Sequence, residues 1–210
     1  LVGLSLLLVL LQLALTRRVV HFEQSMRRAI RAERRNDWQH VASETAAAIQ
    51  AGPFHPEAVH LRGYALNQTG DFTASRELYR SALRWRPYDI RMLNGMAIAS
   101  QNLGLTNDAL SYYTRALNVV PDMPDVYHNL GELYLQIGRI DSAVVAYRRA
   151  VELRPDEAQT LLVLGERLNK KGHLREALDA YRAFLRHWKG DPRFAEVART
   201  RIAELTSNRP

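Results

Sequence analysis

Seven histidines, His21, His40, His55, His60, His128, His173 and His187, are the side chains best suited to metal binding or proton transfer, and they are scattered along the chain. A zinc protease needs two histidines at i and i+4 on one helix with a glutamate between them, so that two imidazoles and a base converge on one ion. No pair here has that spacing. There is no G-x-S-x-G elbow, no phosphate-cradling P-loop and no G-x-G-x-x-G turn. With no cysteine, thiolate metal sites and disulfides are excluded, and the redox compartment stays unread. Glu132 and Glu166 stand one fixed interval apart, which marks them as recurring helix-surface positions rather than an acid–base pair. The sequence therefore predicts no catalytic site within these 210 residues, no metal and no cofactor.

The formal charge of +7 suggests nucleic acid until its distribution is followed. Between Thr16 and Asn36 lie Arg17, Arg18, Arg27, Arg28, Arg31, Arg34 and Arg35 against Glu23 and Glu33, a local excess of five that leaves about two for the rest. A membrane surface or a topology signal accounts for such a local block better than a nucleic-acid face. Arg17, Arg18, Arg27, Arg28 and Arg31 are the candidates for contact with anionic lipid or for setting orientation. The segment they follow, 1–15, reads LVGLSLLLVLLQLAL. As a helix it would be roughly 22 Å long against a hydrocarbon core of ~30 Å. We read 1–20 as a transmembrane helix or signal anchor; a chain that opens on Leu rather than Met favours a span whose start lies upstream. A cleaved signal peptide is a third reading, though a basic leading region and a small-x-small cleavage site are lacking.

What positions the remaining residues is a period of 34. Glycine recurs at Gly70, Gly104, Gly138 and Gly172, and proline at Pro53, Pro87, Pro121 and Pro155. Tyrosine recurs at Tyr79, Tyr113, Tyr147 and Tyr181, and alanine at Ala48, Ala82, Ala116 and Ala150. Such a period signals an array of helix-turn-helix units. It is clearest in 124–157, where the first helix carries Tyr127, Leu130, Gly131 and Tyr134 and the second Ala143, Tyr147, Ala150 and Pro155. Small residues at Gly131 and Ala150 let two helices approach, with Tyr134 and Tyr147 filling the space beside the contact. Gly138 permits the turn, and Pro155 cannot continue a helix.

These residues resemble the tetratricopeptide repeat (TPR) family. The resemblance covers 22–191 and implies an all-α, right-handed superhelical solenoid, here preceded by a single transmembrane helix. An Arg-rich neck at 21–36 merges into a degenerate first repeat, 22–55, in which Asn36 replaces the turn glycine and Thr45 the aromatic residue. Further repeats follow at 56–89, 90–123, 124–157 and 158–191; in the last, Phe184 and Lys189 depart from the pattern. At 192–206, Phe194, Val197, Ala198, Ile202 and Leu205 form the apolar stripe of a capping helix, with a tail at 207–210.

The resemblance also implies a concave groove lined by the first helix of each repeat. The matching positions are Glu57, His60, Tyr64, Asn67 and Gln68; Arg91, Asn94, Ile98, Gln101 and Asn102; Asp125, His128, Glu132, Leu135 and Gln136; and Gln159, Leu162, Glu166, Asn169 and Lys170. Neutral amides dominate, and an amide both donates and accepts, which suits the backbone of an extended peptide. A clamp for acidic C-termini is not expected, since its positions here hold His60, Tyr64, Gly95, Asp125 and Asn129 and only Asn129 suits a carboxylate. The expected function is a membrane-anchored scaffold or assembly factor that binds a protein partner in the groove and membrane lipid through 1–20, with no nucleic acid and with self-association open. The arginines after the apolar run place the repeats in the cytoplasm, at a bacterial inner membrane. An alternative stays open. An apolar helix, an Arg-rich neck and repeats containing RPYD also resemble the C-terminal region of polytopic glycan polymerases and O-antigen ligases. That resemblance implies periplasmic repeats and glycosyl-transfer chemistry outside this sequence.

Overall fold

A computed structural model describes residues 2–53 and 55–207, with the side chains of 2–6 outside that description. Among the described residues there are eleven α-helices and no strand. They are α1 (Val2–Glu33), α2 (Trp38–Ala51), α3 (Pro56–Gln68), α4 (Phe72–Leu83), α5 (Ile90–Asn102), α6 (Thr106–Val119), α7 (Pro124–Gln136), α8 (Ile140–Leu153), α9 (Gln159–Lys170), α10 (Leu174–His187) and α11 (Pro192–Ser207). The turns inside the helix pairs are made by residues that tolerate positive φ: Gly70 at 82°, Gly104 at 74°, Gly138 at 75° and Gly172 at 80°. Asn36 takes the same role at 56°, and asparagine is among the few side-chain-bearing residues that visit this region. Asp37 and Asp71 then open the next helices by accepting from the backbone N–H of His40 and Ala74, each at 3.1 Å.

The chain forms two compact units, Leu1–Ala116 and Leu117–Pro210. In the first, α1 packs on α2, α2 on α3, α3 on α4, and α5 on both α3 and α4. Its small residues close the helix contacts: Ala29, Ala32, Val41, Leu61 and Ala65 are buried, with Met26, Trp38 and Ala42 against them. The Tyr79 ring lies between two glycines, and a methyl added at Gly63 or Gly95 would come within 2.2 Å or 2.5 Å of it. The ring thus occupies the space that the missing side chains leave. In the second unit α8 meets α7, α9 and α10, and α10 meets α9 and α11. Tyr147 fills the space over Gly131 and Tyr181 that over Gly165, where added methyls would sit 2.7 Å and 2.5 Å from the rings. α11 covers this core with buried Ala198 and with Ile202 and Leu205, while Val197 stays exposed. It continues to Ser207, past the expected end of the cap, and 208–210 lie outside the described residues.

A separate transmembrane helix over 1–20 is not found. Among the described residues no helix is long and apolar enough to cross a membrane. The apolar run instead continues without a break through Arg17 and Arg18 into the helix that carries the first core, so α1 is one element of 32 residues. Leu1 and the side chains of 2–6, which the expected span includes, lie outside the described residues.

Candidate partner-binding site

In the first unit α2 packs on both α1 and α3, and side chains of α1 and α3 line one hollow. Their shared face opens into a cavity of about 640 Å³ lined by Phe22, Met26, Ile30, Trp38, His60, Leu61 and Tyr64, with Glu33, His55 and Glu57 also on its lining. Trp38 meets Tyr64 edge-on with ring centroids 5.2 Å apart, and Phe22 meets His55 at 4.5 Å. Tyr64 is 38% exposed, a large ring left half in water beside an apolar hollow. Burial lowers the His60 imidazole's proton affinity and the nearby Arg91 charge lowers it further, so the ring is neutral at pH 7. Among the described residues its Nδ1 is buried with no hydrogen-bond partner, as is the side-chain oxygen of Asn67. Asn67 donates through Nδ2 to the Gly95 carbonyl at 3.2 Å.

Other groove residues expected from the sequence are engaged within the fold. In the first unit, Gln101 accepts from the Tyr113 hydroxyl at 2.9 Å, and Asn102 donates to the Ile98 carbonyl at 2.9 Å. Asn94 and Ile98 are half-buried and Gln68 is exposed at the end of α3. Arg91 grips Glu57 through both guanidinium nitrogens, at 2.8 and 3.0 Å. In the second unit, His128 meets the Tyr147 ring edge-on at 5.3 Å. Glu132 accepts from the Tyr147 hydroxyl and faces Arg167 at 3.4 Å. Burial, and then the hydrogen bond to Glu132, push the Tyr147 phenol far above its ordinary range. Asp125 is held by Arg154 at 2.7 Å and Glu166 by Arg201 at 3.0 Å. Leu135 packs against the core, Leu162 is buried, Asn169 is half-buried, and Gln136, Gln159 and Lys170 are exposed.

Three of these ion pairs, Glu57–Arg91, Glu132–Arg167 and Glu166–Arg201, join residues 34 or 35 apart. Sequence reasoning assigned the acidic members to a partner and missed that the next repeat, or for Glu166 the capping helix, supplies the base. Opposite charges one period apart were the signal. The cavity under Tyr64 was missed as well, because Phe22, Met26 and Ile30 belong to a repeat too degenerate to be matched position by position.

The five arginines assigned to lipid or topology also divide. Arg28 binds Glu44 of α2 at 2.8 Å and the Ser25 hydroxyl at 3.1 Å, so it fastens α1 to α2. Arg27 lies 3.8 Å from Glu23, and Arg31 donates to the Arg27 carbonyl at 3.3 Å. Arg17 and Arg18 are exposed and form no ion pair among the described residues. Likewise, among the described residues no group of three or more histidine or carboxylate side chains could hold a metal ion.

Two family models match, both described as tetratricopeptide repeat, over residues 26–90 and 88–156. No curated protein matches the chain. Solved structures share the fold at low identity. A thermophilic TPR protein of Thermus thermophilus superposes with a TM-score of 0.66 at 19% identity, covering 87% of this chain and 99% of that one. The Pseudomonas aeruginosa pilF structure gives 0.64 at 18%, covering 90% of each chain. MamA from Desulfovibrio magneticus RS-1 gives 0.64 at 18%, covering 86% and 96%. Those likenesses are to an all-α, solenoid-like helical repeat fold.

Proposed function

Because the chain belongs to the tetratricopeptide repeat family, we propose that it is a non-catalytic scaffold that captures an extended segment of a partner protein on the face shared by α1 and α3. One observation carries this reading: a cavity of about 640 Å³, walled by Phe22, Met26, Ile30, Trp38 and Tyr64, with the neutral His60 on its lining. Its size and its mix of apolar walls with a few polar groups suit one or two bulky apolar side chains of a peptide. Asn67, further along α3, already donates to the Gly95 carbonyl, so its amide ties α3 to α5 instead of meeting the peptide. The test is affinity selection of peptides against the whole chain, followed by titration of the best binder into Tyr64→Ala. Tyr64→Ala should weaken binding by at least about tenfold, the range of a buried aromatic anchor, with helical content unchanged. Equal affinity for the variant would move the partner to another face.

The same proposal includes attachment to a membrane through the N-terminal half of α1. In support, Leu7, Leu8, Val9, Leu10, Leu11, Leu13 and Leu15 are all more than half exposed, and Arg17 and Arg18 follow them directly. An apolar helix exposed in this way is out of place in water. The basic residues on the repeat side favour a cytoplasmic array at a bacterial inner membrane. Replacing Leu8 and Leu11 with glutamate should release the chain into the aqueous fraction after cell lysis. Retention in the membrane fraction would remove this half of the reading.

A further inference from the structure

Beside the apolar helix, one end of the first unit departs from the pattern of the other repeats. Phe22 of α1 touches the α2–α3 connection: its ring lies 4.5 Å from His55, and a methyl at Gly52 would sit 3.1 Å from it. One turn earlier, Leu13, Ala14, Arg17, Arg18 and His21 face Gln50 and Ala51 at the end of α2 across an open cavity of about 710 Å³. Next to these, Ile49, Pro53 and Pro56 line a second cavity of about 370 Å³ whose far wall is Trp85 and Arg86, just after α4. Trp85 therefore lies at the same end of the helix pairs as the α2–α3 connection that Phe22 touches, and the exposed leucines precede Phe22 on α1.

The repeat supplies its own control. The positions of Arg84, Trp85 and Tyr88 are held one period later by Asn118, Val119 and Asp122, two periods later by Glu152, Leu153 and Asp156, and three periods later by Arg186, His187 and Gly190, so the paired aromatics are what sets this repeat apart. At the repeat near the apolar helix, both aspartates and the glutamate are gone, and arginine and two large aromatics stand in their place. Trp85 and Tyr88 are each 75% exposed, the most exposed large aromatics described, whereas Val119 is 37% exposed. The acids at this edge are already engaged, Glu57 by Arg91 at 2.8 Å and Asp89 by Arg86 at 3.4 Å. Arg17, Arg18 and Arg84 form no ion pair among the described residues. Tryptophan and tyrosine largely in water beside arginines are the composition of a surface at the headgroup layer of a bilayer.

We propose that the loop edge of the first unit, formed by Arg84, Trp85 and Tyr88 together with Arg17 and Arg18, lies on an anionic lipid surface when the apolar half of α1 enters the bilayer. The inference rests on the membrane attachment proposed above and adds where the repeats sit. Trp85 and Tyr88 lie in the headgroup layer, the three arginines meet lipid phosphates, and the array is held by its edge instead of swinging on a single helix. Arg27 and Arg31 take no part, because Arg31 is roughly 21 Å along the helix from Arg17.

The absence of native cysteine makes the test direct. The full chain carrying Tyr88→Cys, or Gln68→Cys at the opposite end of α3 as a control, is labelled with the environment-sensitive dye NBD. It is then mixed with phosphatidylcholine vesicles with or without phosphatidylglycerol, and binding is read by flotation. The expected result is a blue-shifted label at 88, quenched by lipids brominated near the headgroup, with the label at 68 unchanged. Arg84→Gln should lower affinity for the anionic vesicles by about fivefold. A chain that floats while its label at 88 stays in water overturns the edge assignment and leaves the attachment standing. A chain that does not float overturns both. Equal binding to purely zwitterionic vesicles, or an unaltered affinity in Arg84→Gln, overturns the role of the arginines.

Discussion

His60 sits among Glu57, Asp89 and Arg91, and burial dominates its titration. In the unfolded chain it takes up a proton near its ordinary 6.5, whereas the folded chain resists until lower pH. Stability from this residue is thus complete above 6.5 and is lost as pH falls below it. The melting temperature of the wild type should fall more steeply just below pH 6.5 than that of His60→Gln, as read by circular dichroism. Glu57, whose bond to Arg91 holds its carboxyl below 4.5, contributes a loss that begins only as pH falls toward 4.5, so the loss from His60 sets in first. At this scale the sequence was partly legible. Spacing placed His60, Tyr64 and Asn67 on one helix, but nothing local revealed that Glu132 and Glu166 were committed to Arg167 and Arg201. An ion pair between repeats is formed by two surfaces brought together only in the fold.

Three helix pairs, α3–α4, α7–α8 and α9–α10, depend on a ring filling the space beside a missing side chain. Gly131→Ala would place a methyl 2.7 Å from the Tyr147 ring, and overpacking of that kind costs about 1–3 kcal/mol. Chemical denaturation should show the midpoint falling with the slope unchanged. Asn36→Gly has the opposite sign: at a φ of 56° glycine removes the strain of a side chain, and a gain of up to about 1 kcal/mol is expected. Both features could be read from the recurrence of glycine, tyrosine and proline, including asparagine as the stand-in at 36. The behaviour of α1 could not. An apolar run followed by arginines reads as a boundary, yet arginine is a good helix former and nothing between Leu15 and Phe22 breaks a helix.

At the scale of the molecule, the exposed half of α1 and the half that closes the first unit are separable by burial alone. Residues 7–20 are exposed throughout, while Ser25, Ala29 and Ala32 are buried. Deleting 1–20 should therefore leave the circular dichroism per residue and the cooperativity of melting intact. Deleting 1–34 should uncover Val41, Leu61 and Ala65 and lower the melting temperature of the first unit by several degrees. Differential scanning calorimetry separates the two outcomes. A fold built from neighbouring contacts can lose a protruding segment without cost, but not a face that a neighbour buries.

The ladder of arginines on glutamates has a consequence for how such a chain grows. Segment 158–191 alone holds both halves of one rung: Arg167 reaches back to Glu132, and Glu166 receives Arg201. A tandem duplication of 158–191 would meet the new Glu166 with an arginine, although the second Arg175 would face the first one in place of Asp141. Duplicating 124–157 would instead set Leu133 opposite Glu132. The molecule thus has a seam, just before the cap, at which it can be lengthened by a whole repeat with this ladder of glutamates and arginines unbroken.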